Sequence, residues 1–233
     1  MCCRYYIDRT EELLPVAEEM NRSPLMQRFQ HRGGKVFDGG EVRPTSIAPA
    51  IATSRSGARM VFPMQWGFNG KSLIINARVE TAGVKPMFQE SWKTHRCILP
   101  ASWYYEWEHL PDANGKMKRG DKFSIRPRGT EGTWLCGLYR MEEGLPHFVV
   151  LTREPAESIR FIHDRMPMML PALQAEKWIN PALPPEEMIN AAETDVVFER
   201  TRPELPLLRQ AIGFQGSCSA TWQSSGMDLM ASS

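Results

Sequence analysis

Short strand-like runs recur along most of the chain and constrain its fold more than any other feature. Nine runs rich in β-branched, aromatic and other apolar residues lie between turn residues, at 2–7, 46–53, 59–66, 73–79, 96–99, 102–109, 122–126, 133–141 and 147–152. Helical patterns are fewer and shorter, at 11–20 with Thr10 as its cap, 85–94, 154–162, 173–179 and 185–192. The sequence therefore predicts an α+β fold in which short helices flank a strongly curved, mostly antiparallel, barrel-like sheet.

Local signals add detail to this prediction. The segment PDANG at 111–115 is a strong turn signal and predicts a hairpin over 102–126 with a long, basic tip. Glycine and charged residues predict a loop over 31–44. Because no repeat or linker interrupts the chain, we expect one domain over 1–212, followed by a flexible tail rich in serine and glycine over 213–233.

Composition excludes several classes of protein. The chain has 233 residues, 42% of them hydrophobic and 24% charged, and is long enough to bury a full-sized core. Its net charge of +1 argues against coating nucleic acid by overall charge, so an anionic ligand would have to meet a local basic patch. No apolar run reaches the roughly eighteen residues that span a membrane, and no signal peptide is evident, so we expect a soluble, cytoplasmic protein.

The five cysteines and five histidines are scattered along the chain. They lack the spacings that disulfide frameworks and metal sites use, and no glycine-rich phosphate loop is present. We therefore predict no metal and no cofactor.

The start of the chain carries a distinctive chemical possibility. Removal of Met1 would leave Cys2 with both a free α-amine and a thiol, which together form a 1,2-aminothiol. The amine can condense with an aldehyde to a Schiff base, and the thiolate can then close on the imine carbon to form a thiazolidine. Both groups are partly nucleophilic near neutral pH, because their pKa values lie near ~7.7–8.0 and ~8.5. The alternative is that Cys2 is a small buried hydrophobe or part of a frayed terminus.

The segment at 75–80, INARVE, could recognise a sugar phosphate. Alternation along a strand would put Asn76, Arg78 and Glu80 on one face, and Ala77 with its apolar neighbours on the other. A carboxamide can hold a carbonyl or hydroxyl group, and a guanidinium can hold a phosphate. The alternative is an exposed sheet face with an Arg–Glu pair.

Two further segments carry groups suited to proton transfer. Aromatic residues surround Glu106 in WYYEWE at 103–108, and an apolar setting would raise its pKa toward a general acid or base role. His163 ends a predicted helix just before Pro167 and can be either a proton-transfer group or a helix-end cap. Solvated or purely structural positions remain alternatives for both residues.

Taken in order, these segments resemble those of a known family. Cys2, WGF at 66–68, NARVET at 76–81, WYYEW at 103–107 and IHDRMP at 162–167 follow one another as in the SOS-response-associated peptidase (SRAP) family. The resemblance extends from Cys2 to about Pro171 and implies the SRAP fold. Members bind single-stranded DNA, or the single-stranded side of a junction with duplex, and capture abasic sites as a thiazolidine on the terminal cysteine. It thus implies a DNA damage response protein with lyase-like Schiff-base chemistry, acting as a monomer and at the nucleoid when bound to DNA.

The resemblance also implies roles for individual residues. Asn76 would orient the captured sugar, Glu106 would move protons at the amine and thiol, and His163 would assist sugar opening and protonate its oxygen. Phosphates would be contacted by Arg4, Arg78 and Arg165, and Trp66 would stack or wedge against a base. Such a local cluster of arginines reconciles DNA binding with a net charge of +1.

This chain departs from the family pattern at two places. Cys3 occupies a position where the family usually has glycine, which adds bulk and a second thiol. Thr45 or Ser46 stands where the family usually has asparagine before an Ala-Pro pair, which puts one hydrogen bond of the pocket in doubt. Two other functions remain open at this point, a thiol peptidase that cleaves its own leader and a non-covalent binder of single-stranded DNA.

Overall fold

A computed structural model describes residues 3–112, 114–130 and 132–201 of the chain. Its strands are β1 Arg4–Ile7, β2 Gly40–Val42, β3 Ile47–Thr53, β4 Arg59–Trp66, β5 Asn76–Arg78, β6 Arg96–Ala101, β7 Trp103–Pro111, β8 Met117–Pro127, β9 Thr133–Glu142, β10 Leu145–Arg153, β11 Met166–Pro167, β12 Met169–Leu170 and β13 Val196–Arg200. Its α-helices are α1 Leu14–Arg22, α2 Pro24–His31, α3 Val79–Ala82, α4 Pro86–Thr94, α5 Ala172–Trp178 and α6 Glu186–Ile189. The predicted α+β fold is confirmed.

Five strands close into a barrel. Hydrogen-bonded neighbours follow the order β10-β4-β3-β6-β9, and β9 pairs with β10 to complete the ring. Small side chains suit so narrow a barrel. Ala48, Ala50 and Ala52 alternate along β3 within one core cluster, and a Cβ atom on Gly137 would lie only 2.9 Å from the Cys97 sulfur. The predicted curved sheet is thus a closed barrel, mostly antiparallel, with β10 running parallel to β4 and β5.

A second sheet packs against the barrel. Its order is β13-β8-β7-β1-β2, and β7 and β8 form the predicted hairpin. Tyr5 and Tyr104 of this sheet share one core cluster with Trp66 and Phe148 of the barrel. The first strand of the chain is therefore anchored between β2 and β7, which fixes the position of its N-terminal end.

Several predicted elements differ from the structure. The predicted loop at 31–44 contains the end of α2 and strand β2, and the predicted strand at 73–79 shortens to β5 before α3 begins. The predicted helix at 154–162 is irregular, with one 3-10 turn at Glu157–Ile159. The first helix begins at Leu14, because Pro15 suits only a first turn, while Thr10 accepts a hydrogen bond from the Leu13 amide at 3.2 Å.

Residues after 201 lie outside the described part of the chain, as does Cys2. The predicted domain over 1–212 and the predicted tail over 213–233 therefore stay predictions. None of the helices described is long and apolar enough to cross a membrane.

Candidate active site

Strand β1 brings the start of the chain next to Glu106. In the register of β1 with β7, Arg4 lies opposite Tyr105, so one further step along both strands places Cys3 opposite Glu106. Burial and the Glu106 charge raise the pKa of the Cys3 thiol, against the opposing charges of Arg4 and Arg119. Cys2, the predicted nucleophile, precedes Cys3 in the sequence and lies outside the described residues.

Glu106 is a buried carboxyl group, as its aromatic flanks predict. It is only 3% exposed, and burial raises its pKa above the ordinary value. The Trp107 amide donates a hydrogen bond to Oε1 at 3.3 Å and partly offsets this shift. A raised pKa lets a carboxyl group keep its proton at a higher pH than an exposed one, which suits a general acid or base.

His163 is held as a neutral imidazole. The residue is 7% exposed, and burial together with the neighbouring His109 lowers its pKa to about 4. The two rings lie 4.2 Å apart, and the Arg165 amide donates to Nδ1 of His163 at 3.1 Å. Asp164 lies 2.6 Å from the same nitrogen and opposes the shift, but burial outweighs it.

A cleft of about 620 Å³ lies beside His163. Its lining comes from β5, the β7–β8 hairpin and the segment before β11: Arg78, His109, Met117, Arg160, Phe161, Ile162, His163, Asp164 and Arg165. The structure thus brings together three residues that the sequence singles out, Arg78, His163 and Arg165. Among the described residues, Asn76 and Glu106 are not part of this lining. Asn76 is half-buried at the start of β5, opposite Val150.

Arg165 supports the wall of the cleft. Its two terminal nitrogens donate to the two carboxylate oxygens of Glu80 at 2.8 Å each, and Nη2 also donates to the Thr152 carbonyl at 2.6 Å. These hydrogen bonds outweigh burial and hold the pKa of Glu80 below its ordinary value. In this structure the Arg165 guanidinium is buried and bound to Glu80 and Thr152, and the phosphate contact stays a prediction.

The pairing also corrects the predicted polar face of β5. Glu80 lies on α3 after the strand ends at Arg78, so it does not continue the alternation of Asn76 and Arg78. The Arg–Glu pair exists, but its arginine is Arg165. Arg78 is exposed and lines the cleft.

Trp66 belongs to the core of the barrel. It is 0% exposed, its Nε1 donates to the Ile75 carbonyl at 2.9 Å, and its ring packs 5.8 Å from Phe148 and 5.4 Å from Tyr5. No face of the indole is accessible in this structure, so the geometry gives no support to the predicted stacking of Trp66 on a DNA base.

Arg4 lies in a cluster of cations and aromatic rings on β1, β7 and β8. It donates to Glu41 at 2.9 Å and lies 5.2 Å from the Trp107 ring centroid. Arg119 lies 3.5 Å from the same ring, and Lys122 lies 3.5 Å from that of Tyr105. Sequence reasoning predicted a basic hairpin tip without assigning roles to Arg119 or Lys122. The signal available was the hairpin itself, which places β8 cations beside β7 aromatics.

In the ranges that the structure describes, no three His, Cys, Asp or Glu side chains cluster as metal ligands do.

Comparison with known proteins decides the family. A family model described as SOS response associated peptidase (SRAP) matches residues 1–200. The chain belongs to the SRAP family. The resemblance stated from the sequence motifs is thereby confirmed.

Relatives within the SRAP family carry informative names. The abasic site processing protein YoaM of Bacillus subtilis (strain 168) is 35% identical over 164 residues, which cover 62% of this chain and 70% of YoaM. YoqW of the same organism, also named an abasic site processing protein, is 35% identical over 113 residues, 46% of this chain and 48% of YoqW. YedK of Escherichia coli (strain K12), which has the same description, is 24% identical over 214 residues, 84% of this chain and 87% of YedK.

Solved structures show the same fold. A protein from Bacteroides thetaiotaomicron superposes with a TM-score of 0.66 at 21% identity, covering 87% of this chain and 93% of that one. A phage-related protein from Bordetella bronchiseptica gives a TM-score of 0.65 at 21% identity, covering 86% and 94%. At such low identity these likenesses establish the SRAP fold alone.

Proposed function

We propose that this protein responds to DNA damage by capturing abasic sites in single-stranded DNA as a covalent thiazolidine on Cys2, after removal of Met1. The observation that carries the proposal is the register of β1 with β7, which places the residue after Cys2 opposite a buried glutamic acid. The names of the relatives, abasic site processing proteins, support the choice of substrate. An abasic site supplies the aldehyde with which an aminothiol reacts.

Glu106 would serve both halves of the reaction. The α-amine of Cys2 attacks the aldehyde carbon, and the carbinolamine then loses its hydroxyl as water after receiving a proton from the Glu106 carboxyl. The resulting carboxylate accepts the thiol proton. The thiolate attacks the carbon of the protonated imine and the C=N electron pair returns to nitrogen, so that aldehyde and aminothiol become a thiazolidine plus one water. The raised pKa of Glu106 suits it to alternate between donor and acceptor.

His163 would assist opening of the deoxyribose. With its pKa lowered to about 4 the ring is neutral at pH 7, so imidazolium is not available to protonate the sugar. The neutral ring would instead act through its N–H group, which donates a hydrogen bond to the ring oxygen of the sugar as the carbon–oxygen bond breaks. This narrows the role expected from the family resemblance to that of a neutral donor.

The remaining residues would bind the strand. Arg78, exposed in the cleft, and Arg4, on the adjoining cationic cluster, would contact phosphates, while the Asn76 amide would hold a sugar oxygen. Arg4, Arg119 and Lys122 gather around the Trp107 ring, so positive charge is concentrated there although the whole chain is close to neutral.

A crosslinking assay tests the nucleophile. Purified protein incubated with abasic single-stranded DNA should give an adduct that survives denaturation. Cys2→Ser should abolish it, and Cys3→Ala, the matched control on the adjacent thiol, should leave it largely intact. Retaining Met1 should also prevent the adduct, because the Cys2 nitrogen would then be an amide. An adduct that needs Cys3 but not Cys2 would contradict the proposal, as would cleavage of peptides without any adduct.

Single-turnover rates test the proton-transfer groups. Glu106→Gln and His163→Ala should each slow adduct formation by about 10²-fold, the low end for general acid–base groups. Glu108→Gln, on the same strand, is the control and should react at the wild-type rate. The His163→Ala defect should shrink on DNA whose aldehyde is already open, and the Glu106→Gln defect should not. Equal slowing of His163→Ala on both substrates would remove its role in ring opening.

A further inference from the structure

Phe161 is the feature of the cleft that the proposed chemistry leaves unused. Its side chain is 53% exposed although it is a large aromatic group, and it lines the same cleft as Arg78 and His163. Its ring is continuous with that of Phe198, which is 38% exposed, so the two form a small aromatic patch beside a polar site. Trp66, the aromatic residue expected to meet a base, is fully buried.

Two aromatic rings hold Phe161 in place. Its centroid lies 5.9 Å from that of Phe123 at an interplanar angle of 87°, and 5.4 Å from that of Phe198 at 66°. Phe123 and Phe198 also contact each other, at 5.8 Å and 75°. These edge-to-face contacts lie in the range that favours aromatic pairs. The exposed ring is therefore supported by two strands, β8 and β13, instead of moving freely in solvent.

The backbone beside Phe161 is fixed as well. The carbonyl of Ile162 accepts from the His109 amide of the hairpin at 3.3 Å, and the amide of Ile162 donates to Ile159 at 2.9 Å. Ile162 itself is 1% exposed and anchors the segment in the core. A ligand that stacks on Phe161 would thus pay little entropy for ordering it.

The charges around Phe161 indicate what stacks there. Arg160 precedes it and is paired with Glu157 at 3.0 Å, and Arg78 lines the same cleft, so two guanidinium groups share the lining with the exposed ring. Asp164 is the acidic group of that lining, and its contact is with His163. An aromatic face beside guanidinium groups matches an unpaired nucleobase whose phosphates lie alongside.

We propose that Phe161 forms a base-stacking subsite for the unpaired nucleotide next to the abasic site. This inference rests on the proposed function and adds a specific requirement to it. The neighbouring base must be free of a complementary strand, because a base pair in duplex stacks on its own neighbours and leaves no face for Phe161. The subsite would thus favour abasic sites flanked by single-stranded DNA.

A double-mutant cycle tests the subsite. Equilibrium binding is measured with the Cys2→Ser variant, so that capture does not intervene, on single strands in which the base on either side of a stable abasic analogue is present or removed. Phe161→Ala should weaken binding about tenfold when the flanking base is present, and should have little further effect when that base is missing. Phe161→Trp should retain the affinity, and Phe161→Leu, which keeps apolar bulk without a ring, should not. Leu173→Ala, at an exposed apolar residue on α5, is the unrelated control.

A fluorescent base separates this inference from the proposed function. 2-Aminopurine beside the abasic analogue should be quenched on binding to protein with Phe161, and less so with Phe161→Ala. Equal quenching in both proteins, or equal loss of affinity with and without the flanking base, would overturn the stacking subsite while leaving crosslinking untouched. Failure of the wild-type protein to crosslink would instead overturn the proposed function, and the quenching would still report on stacking.

Discussion

Thr45 shows how one residue can carry backbone strain beside a functional region. Its φ of 73° lies in the left-handed region, which disfavours β-branched side chains, and its amide donates to the Trp66 carbonyl at 2.8 Å. Asparagine tolerates this conformation better. Having threonine where the family usually has asparagine near this position therefore strains the backbone, in addition to any hydrogen bond that is lost.

We predict that Thr45→Asn stabilises the folded protein by roughly 0.5–1 kcal/mol, because the strain of a β-branched residue at positive φ is relieved. Urea unfolding of the two proteins measures the difference. Thr53→Asn, at a residue in extended backbone on β3, is the control and should not be stabilising. A lower unfolding free energy for Thr45→Asn would show that the threonine side chain makes a compensating contact.

Arg78 and Arg165 line one cleft but should respond differently to substitution. Arg78→Ala should weaken binding to single strands of any sequence and reduce the salt dependence by about one phosphate contact. Arg165→Ala should leave the salt slope unchanged and lower stability, because it removes the hydrogen bonds that join Thr152 and Glu80 to the segment of His163. Salt titrations of DNA binding and thermal melts distinguish the two. A reduced salt slope for Arg165→Ala would show that Arg165 contacts a phosphate of the DNA.

The sequence could not predict how exposed each of these side chains is. The aromatic residues on both faces of the strand were sufficient to predict an apolar setting for Glu106, because a strand covered on both faces leaves its side chains out of solvent. Tryptophan and arginine are both residue types that often contact DNA, but tertiary packing buries Trp66 and Arg165. Phe161 was overlooked for the opposite reason, since an aromatic residue in an apolar segment is usually a core residue.

Strand β13 is the element that sequence analysis missed and that supports the cleft. It pairs with β8 from Val196 to Arg200, far along the chain from its partner, so no local turn signal predicts it. The β7–β8 hairpin, by contrast, was predictable from its turn residues. The closed barrel was predictable only as a curved sheet, because closure depends on the β9–β10 and β4–β10 pairings and on small inward residues.

We expect Phe198→Ala to test the contribution of β13. Phe198 is 38% exposed and packs on Phe123 and Phe161, so its truncation should cost about 2 kcal/mol, less than for a fully buried phenylalanine. The loss should appear in urea unfolding. Affinity for abasic single strands should also fall, because Phe161 loses a supporting ring. Truncation of Leu173, on α5, should change stability by less than about 0.5 kcal/mol, and a similarly small effect of Phe198→Ala would show that β13 is not a stabilising edge.

At the scale of the whole molecule, the two buried titratable groups of the site have opposite effects on how the unfolding free energy changes with pH. The pKa of His163 falls from 6.5 to about 4 on folding, so the unfolded chain binds a proton that the folded protein does not. The contribution of His163 to the unfolding free energy is fully present above pH 6.5 and is lost as pH falls toward 4. Burial raises the pKa of Glu106, so its contribution is present below its ordinary value of 4.5 and is lost as pH rises through the folded value.

Because the two contributions have opposite signs, each partly offsets the other in the wild-type protein, and two variants should separate the slopes. Glu106→Gln removes the opposing carboxyl, so stability should fall more steeply below pH 6.5, by up to about 3 kcal/mol at pH 4. His163→Gln removes the imidazole, so stability should instead fall as pH rises from 4.5. Urea unfolding at half-unit steps of pH measures both profiles, with Glu108→Gln as the control expected to follow wild type. Profiles of Glu106→Gln and His163→Gln that run parallel to wild type would mean that neither group changes its proton affinity on folding, and the acid–base roles proposed for them would lose their physical basis.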